Sequence, residues 1–111
     1  MPELPEVETT IRYLKSKVKG KKIISINRSQ KKLRKNLNFK DLEQISQKKI
    51  ISVKRFAKYI IIGLENDNYV IIHLGMSGRL KFYLNENYEK EKHDHVILQF
   101  NKFKIVYNDP R

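Results

Sequence analysis

The chain has 111 residues, enough for one domain with a substantial core, and it has no cysteine, which excludes a disulfide framework and any thiolate metal site within it. Lys and Arg number 24 against 12 Asp and Glu, a formal net charge of +12, and such a field attracts phosphate backbones and speeds salt-sensitive association. That charge equally suits a merely soluble protein or one touching anionic lipid, but no apolar run is long enough to span a bilayer and no signal peptide precedes the first helical pattern.

The chain opens Met1-Pro2-Glu3-Leu4-Pro5-Glu6. An initiator Met is usually removed when the next residue is small, and removal leaves Pro2 as a free secondary amine. A terminal amine titrates near pH ~8, so part of it is unprotonated at neutral pH. Such an amine attacks a carbonyl or a sugar C1′ and forms an iminium. Glu3 and Glu6 stand beside it as partners for proton transfer. Proline and acidic residues at this point are also ordinary helix-start chemistry.

Residues 5–19 read as a helix. Val7, Ile11, Leu14 and Val18 form one apolar stripe, and Gly20 stands where a stop is expected. Thr9, Thr10, Arg12, Lys15, Lys17 and Lys19 fall on the wet or ligand-facing sides. Strands are expected at 22–28, 50–56, 58–65, 69–74, 79–84, 96–101 and 104–108, where Val, Ile, Phe and Tyr dominate. Residues 28–38 are basic and aperiodic and read as a loop, followed by a short helical turn over 39–45 introduced by Asn38. Asn66-Asp67-Asn68 and Asn101-Lys102 read as hairpin turns, and 85–91 as a polar connection. No internal repeat is visible. The pattern predicts a mainly β, α+β domain: an antiparallel two-sheet β-sandwich with the N-terminal α-helix packed on it.

Several short motifs carry chemistry. Lys58, in Arg55-Phe56-Ala57-Lys58-Tyr59, suits a phosphate contact, or is one more solvated lysine in a hairpin. His73-Leu74-Gly75-Met76-Ser77-Gly78 runs from a strand into a glycine-marked turn. Met76 at that tip suits insertion into a base stack, although Met more commonly fills a core. His93-Asp94-His95 puts two imidazoles on one strand face, but no third ligand lies nearby and no metal is expected. The basic segment 28–35 either tracks phosphates or is a solvated loop.

Pro-Glu-Leu-Pro-Glu-Val-Glu-Thr at positions 2–9 resembles the amino terminus of the formamidopyrimidine-DNA glycosylases, bifunctional enzymes of base-excision repair that remove oxidised purines. Lys58-Tyr59, His73 to Gly78, Lys92-His93-Asp94-His95-Val96 and Asn108-Asp109-Pro110-Arg111 match the same family in the same order, so the resemblance covers the whole chain. Leu4 and Val7 are more similar to this type than to the endonuclease VIII type.

The resemblance implies a β-sandwich flanked by helices, and roles for particular residues. Pro2 would be the nucleophile at C1′, Glu3 the acid toward the sugar ring oxygen, and Glu6 a holder of the extruded nucleoside. Lys58 would contact phosphates and donate a proton during β-elimination. Met76 would fill the gap left by the lesion, helped by Arg111, the first Arg of the family's Asp-Pro-Arg-Arg-Phe-Gly. His93 would contact the DNA backbone, and His73 is read as structural or as a phosphate neighbour. No cofactor is implied for the chemistry. The family's structural zinc belongs to a four-cysteine finger, expected, like the helix–two-turn–helix module, to lie outside residues 1–111. The partner implied is damaged double-stranded DNA, the oligomeric state monomeric, the compartment bacterial cytoplasm. A non-catalytic basic DNA-binding β domain is the alternative.

Charge-driven binding has a direct test. The affinity of this chain for duplex DNA should fall linearly in log K against log salt, with a slope of about −0.9 per phosphate contacted. A flat slope in a fluorescence-anisotropy salt series would rule out phosphate contacts as the source of binding.

Overall fold

The computed structural model describes residues 4–28, 45–57 and 59–110. The expected turn over 39–45 and the basic loop over 28–38 fall almost wholly outside them.

Helix α1 (Leu4–Val18) buries the four positions that its periodicity selects, with Val7, Ile11, Leu14 and Val18 all under 8% exposed. It packs on β2 (Ile50–Phe56). Lys17, expected on a wet face, instead lays its ammonium 4.9 Å from the ring centroid of Phe82, where its stem is shielded and its charge meets the ring face. Past the helix, Gly20 takes φ 81°, a left-handed conformation open to glycine at little cost. That turn sends the chain alongside β2: Gly20 N–H donates to Ile50 O and Ile50 N–H to Lys21 O, both at 2.8 Å.

Two antiparallel sheets follow. The first has the order β1-β6-β7-β5, from β1 (Ser25–Arg28), β6 (Asp94–Gln99), β7 (Phe103–Asn108) and β5 (Arg79–Leu84). The second is the meander β2-β3-β4, with β3 (Tyr59–Leu64) and β4 (Asn68–His73). Every expected strand is present, most within two residues of its expected ends. The largest difference is at 22–28, where only Ser25–Arg28 pairs with β6. Lys22 and Ile23 bond instead to residues 47–49 beside the other sheet, so this short segment links the two layers.

Side chains of both sheets and the helix meet in one core: Ile50, Val53, Ile60, Ile62 and Leu64 on one side, Leu98, Phe100 and Ile105 on the other, with the helical stripe. Phe100 stacks on Phe103 at 4.6 Å, and Phe103 reaches Phe82 at 5.1 Å. The turns use residues that accept positive φ. Asn66 and Asp67, at 61° and 58°, turn β3 into β4, as the Asn-Asp-Asn sequence suggests.

The polar connection between β5 and β6 is pinned by a buried carboxylate. Asp94, 2% exposed, accepts the Tyr88 hydroxyl at 2.8 Å, the Glu91 N–H at 2.9 Å and the Asn108 amide at 2.8 Å. Burial by itself would raise its pKa. The donors from Asn108, Glu91 and Tyr88, with the Lys81 charge, outweigh burial and hold it below the usual carboxylate range.

Two stability predictions follow from this packing. Ile60→Ala should cost about 2–5 kcal/mol in urea unfolding, since Ile60 has no exposed surface and sits in the middle strand of its sheet. Asp94→Asn should cost about 1–3 kcal/mol at neutral pH, because three donors then share fewer acceptor sites. A depressed carboxylate stabilises above its unfolded pKa of ~4, and that contribution is lost as pH falls through the lower folded value. The gap between wild type and Asp94→Asn should therefore close below about pH 4. A gap that stays constant across the acid limb would show that Asp94 is not the titrating group.

Candidate active site and nucleic-acid interface

The first turn of α1 and the connection from β4 to β5 lie far apart in sequence and together in space. Glu6 and Thr10 form one wall of an open cleft of about 490 Å³, and Leu74, Met76, Ser77, Gly78, Arg79, Leu80 and Lys81 complete it. An acidic group on the helix thus faces two cations on β5, an arrangement suited to a substrate that presents both a phosphate and a group needing proton transfer. The helix start holds Glu6 outward because the stripe on the opposite face is committed to the core.

The turn that carries Met76 is tightly closed. Gly75 has φ 65°, and Gly78 N–H donates to Leu74 O at 2.8 Å. A Cβ at position 78 would lie 2.3 Å from that same carbonyl oxygen and 2.9 Å from Tyr107 Cε1, so only glycine closes the turn without displacing backbone. Met76 at its tip is 64% exposed. It is therefore not a core filler.

A second part of the same edge is the β2–β3 hairpin. Phe56 pairs with Tyr59, and Ala57 takes φ 51° in the left-handed region, where a β-carbon is strained. Two contacts hold it: Arg55 Nη1 donates to Ala57 O at 3.0 Å, and the Arg55 guanidinium pairs with Glu8 of α1. This Arg55–Glu8 link, which moors the hairpin to the helix start, is absent from the sequence reading. Two charged residues in a chain so rich in charge give no local signal that they will meet. His73, exposed at the end of β4, lies opposite Tyr59 with ring centroids 4.7 Å apart. The structure thus brings His73 to the hairpin flanking position 58. Pro2, Glu3, Lys58 and Arg111 lie outside the described residues.

His93 and His95 do not share a strand face, contrary to expectation. β6 begins at Asp94, and His93 occupies the turn before it. The ladder to β7 shifts register between Asp94 and Val96, as at a β-bulge, so the two-residue alternation fails and both Asp94 and His95 are buried. His95 Nε2 lies 2.7 Å from Asp109 O, consistent with its N–H donating there, while its buried Nδ1 has no partner among the described residues. The two imidazoles therefore do not converge. Among the described residues no group of three His, Asp or Glu side chains could hold a metal, and the sequence has no Cys to supply a thiolate. No step of the chemistry below uses a metal. No helix among the described residues is long and apolar enough to cross a membrane.

Comparisons with known proteins agree with this geometry. The family model for the formamidopyrimidine-DNA glycosylase N-terminal domain matches residues 1–111. A formamidopyrimidine-DNA glycosylase of Rickettsia bellii is 46% identical over 112 residues, which covers all of this chain and 41% of the relative. One from Zymomonas mobilis is 47% identical over 112 residues, covering all of this chain and 40% of the relative. The Lactococcus lactis Fpg bound to DNA containing an abasic site superposes with a TM-score of 0.91 at 33% identity, over 99% of this chain and 41% of that one. MutM in complex with DNA containing carbocyclic 8-oxo-G gives a TM-score of 0.91 at 34% identity, again over 99% and 41%. The chain thus spans about two-fifths of the length of the curated relatives it matches. With its two antiparallel sheets, its N-terminal helix and its Met-bearing turn, this chain belongs to the formamidopyrimidine-DNA glycosylase family, as that family's N-terminal domain.

Proposed function

We propose that this chain supplies the catalytic face of a base-excision enzyme that removes oxidised purines, 8-oxoguanine and formamidopyrimidines, from duplex DNA and then cleaves the strand at the abasic site. The observation that carries the proposal is the cleft joining Glu6 on the first helical turn to the exposed Met76. A carboxylate and an exposed apolar side chain at one edge support this reading, because a base can be attacked at C1′ only after leaving the stack, with Met76 as the wedge that takes its place.

The chemistry uses the chain's own groups. The unprotonated Pro2 amine attacks C1′, a C1′–N bond to the enzyme forms, the bond to the damaged base breaks, and the proton that the amine sheds goes to the departing base. Glu3 protonates the sugar ring oxygen, the ring opens, and an iminium joins Pro2 to C1′. The iminium acidifies the C2′ proton. Loss of that proton to water forms a C2′–C3′ double bond and breaks the C3′–O bond to the phosphate, which Lys58 protonates as it leaves. Loss of a second proton, from C4′, expels the 5′ phosphate, and water hydrolyses the iminium to free Pro2. Glu6 stays on the cleft wall to hold the extruded nucleoside. Arg79 and Lys81 on the facing wall, and His73 beside the hairpin, are suited to phosphates. His93 and Arg111 are further backbone contacts in this reading, the partner is damaged duplex DNA bound by a monomer, and the compartment is the bacterial cytoplasm.

A +12 charge supports binding with or without catalysis, so a basic DNA-binding domain without chemistry is the competing reading. Borohydride trapping on a duplex with one abasic site separates them. A covalent protein–DNA adduct is expected from the chain with Pro2 exposed, and none from Pro2→Gly or from a form that retains Met1. If all three forms bind DNA with the same salt slope and none is trapped, the non-catalytic reading is correct for this chain.

A further inference from the structure

Asp109, directly after β7, ties together three segments that the sequence presents as separate motifs. Its carboxylate accepts the Ser77 hydroxyl at Oδ1 and the Tyr107 hydroxyl at Oδ2, the latter at 3.1 Å. Its N–H donates to the carbonyl of His93 at 3.1 Å, and its own carbonyl meets His95 Nε2 at 2.7 Å. Ser77 belongs to the Met76 turn and His93 to the turn before β6. Bonds from a hydroxyl to a carboxylate are among the stronger ones a protein makes.

We propose that Asp109 is a positioning residue that locks the Met76 turn, so that Met76 enters the base stack as a rigid wedge rather than a mobile side chain. This rests on the wedge role given to Met76 above. A wedge must push bases apart without yielding, and a loose turn would be pressed back or would lose entropy on insertion. The geometry provides resistance from behind. The Tyr107 ring backs Gly78 closely enough to exclude a β-carbon there, and the same Tyr107 donates its hydroxyl to Asp109. Burial first, then the Asp109 charge, raises the Tyr107 phenol to about 12, so the donor keeps its proton at any working pH. Because Asp109 also bonds to His93 and His95, a load on Met76 passes into the β6–β7 ladder instead of bending the turn.

The test is wedge insertion measured without chemistry. The probe is a duplex carrying a tetrahydrofuran abasic analogue, with 2-aminopurine in the opposite strand. Insertion unstacks the 2-aminopurine and raises its fluorescence at saturating protein, and Met76→Ala should abolish the rise. Ser77→Ala removes the link from the turn to Asp109. It should cut the rise at least about threefold, the population shift expected when one charge-assisted hydrogen bond leaves a two-state turn. The salt slope of binding should stay as in wild type, and Ser77→Thr, which keeps the hydroxyl, should restore the signal. A loss caused merely by misfolding would lower the melting temperature and weaken binding as well. Asp109→Asn, which keeps one acceptor oxygen but not the charge, gives an independent measurement if Ser77→Ala is unstable. A full fluorescence rise in folded Ser77→Ala and Asp109→Asn would overturn the inference and leave the proposed function standing. No rise in wild type, matched by Met76→Ala, would remove the wedge role and this inference with it.

Discussion

The face of α1 formed by Val7, Ile11, Leu14 and Val18 sets the position of everything at the working edge. Each buried Val, Leu or Ile contributes about 1.5–3 kcal/mol relative to leaving it in water, and four of them seat the helix on β2 and the shared core. The Arg55–Glu8 pair that also links helix to hairpin is half-exposed and contributes about 0–1 kcal/mol. Packing therefore fixes where the helix lies, and the ion pair only sets the orientation of the hairpin against it. With the helix seated, its first turn can face only the β4–β5 connection, which is why Glu6 and Met76 share a cleft.

Two tight turns stand at the same edge. Ala57 holds a left-handed φ while its carbonyl accepts from Arg55, and the turn from Gly75 to Gly78 is closed by Gly78 N–H on Leu74 O with the Tyr107 ring behind it. Strain of this kind persists where the surroundings over-determine it. Tight closure of the turn and hairpin fits the wedge role proposed for Met76. The positive field works on another level. A field of this sign favours any phosphate backbone and discriminates nothing, so in the function proposed above selectivity falls to the few groups in the cleft.

Asp94 and Asp109 show how similar side chains in neighbouring places act differently. Asp94 is fully enclosed, saturated by donors, and serves the fold by closing the β5–β6 connection. Asp109 is half-buried and joins the Met76 turn, through Ser77, to the end of β7. Mutating the first should be felt in stability and its pH dependence, mutating the second in what the Met76 turn does under load.

Much of this was legible in the chain itself. The helix, its buried face and the seven strands follow from 3.6-residue and two-residue periodicity, because local backbone geometry dictates which side chains share a face. The ordered motifs carried the family, and with it the candidate roles of Glu6, Met76 and His73. Register and long-range pairing were not legible. The shift at Asp94 and Val96 breaks the alternation that put His93 and His95 on one face, and a register shift is a property of the pairing with β7 that no short segment displays. The Arg55–Glu8 pair and the Asp109 hub join residues distant in sequence, so nothing local marks them. The sequence by itself determined which residues turn inward along each element and which chemical groups are available. The tertiary structure decided which of those groups meet, because their meeting depends on how helix and sheets pack around one core, a property of the whole chain rather than of any segment.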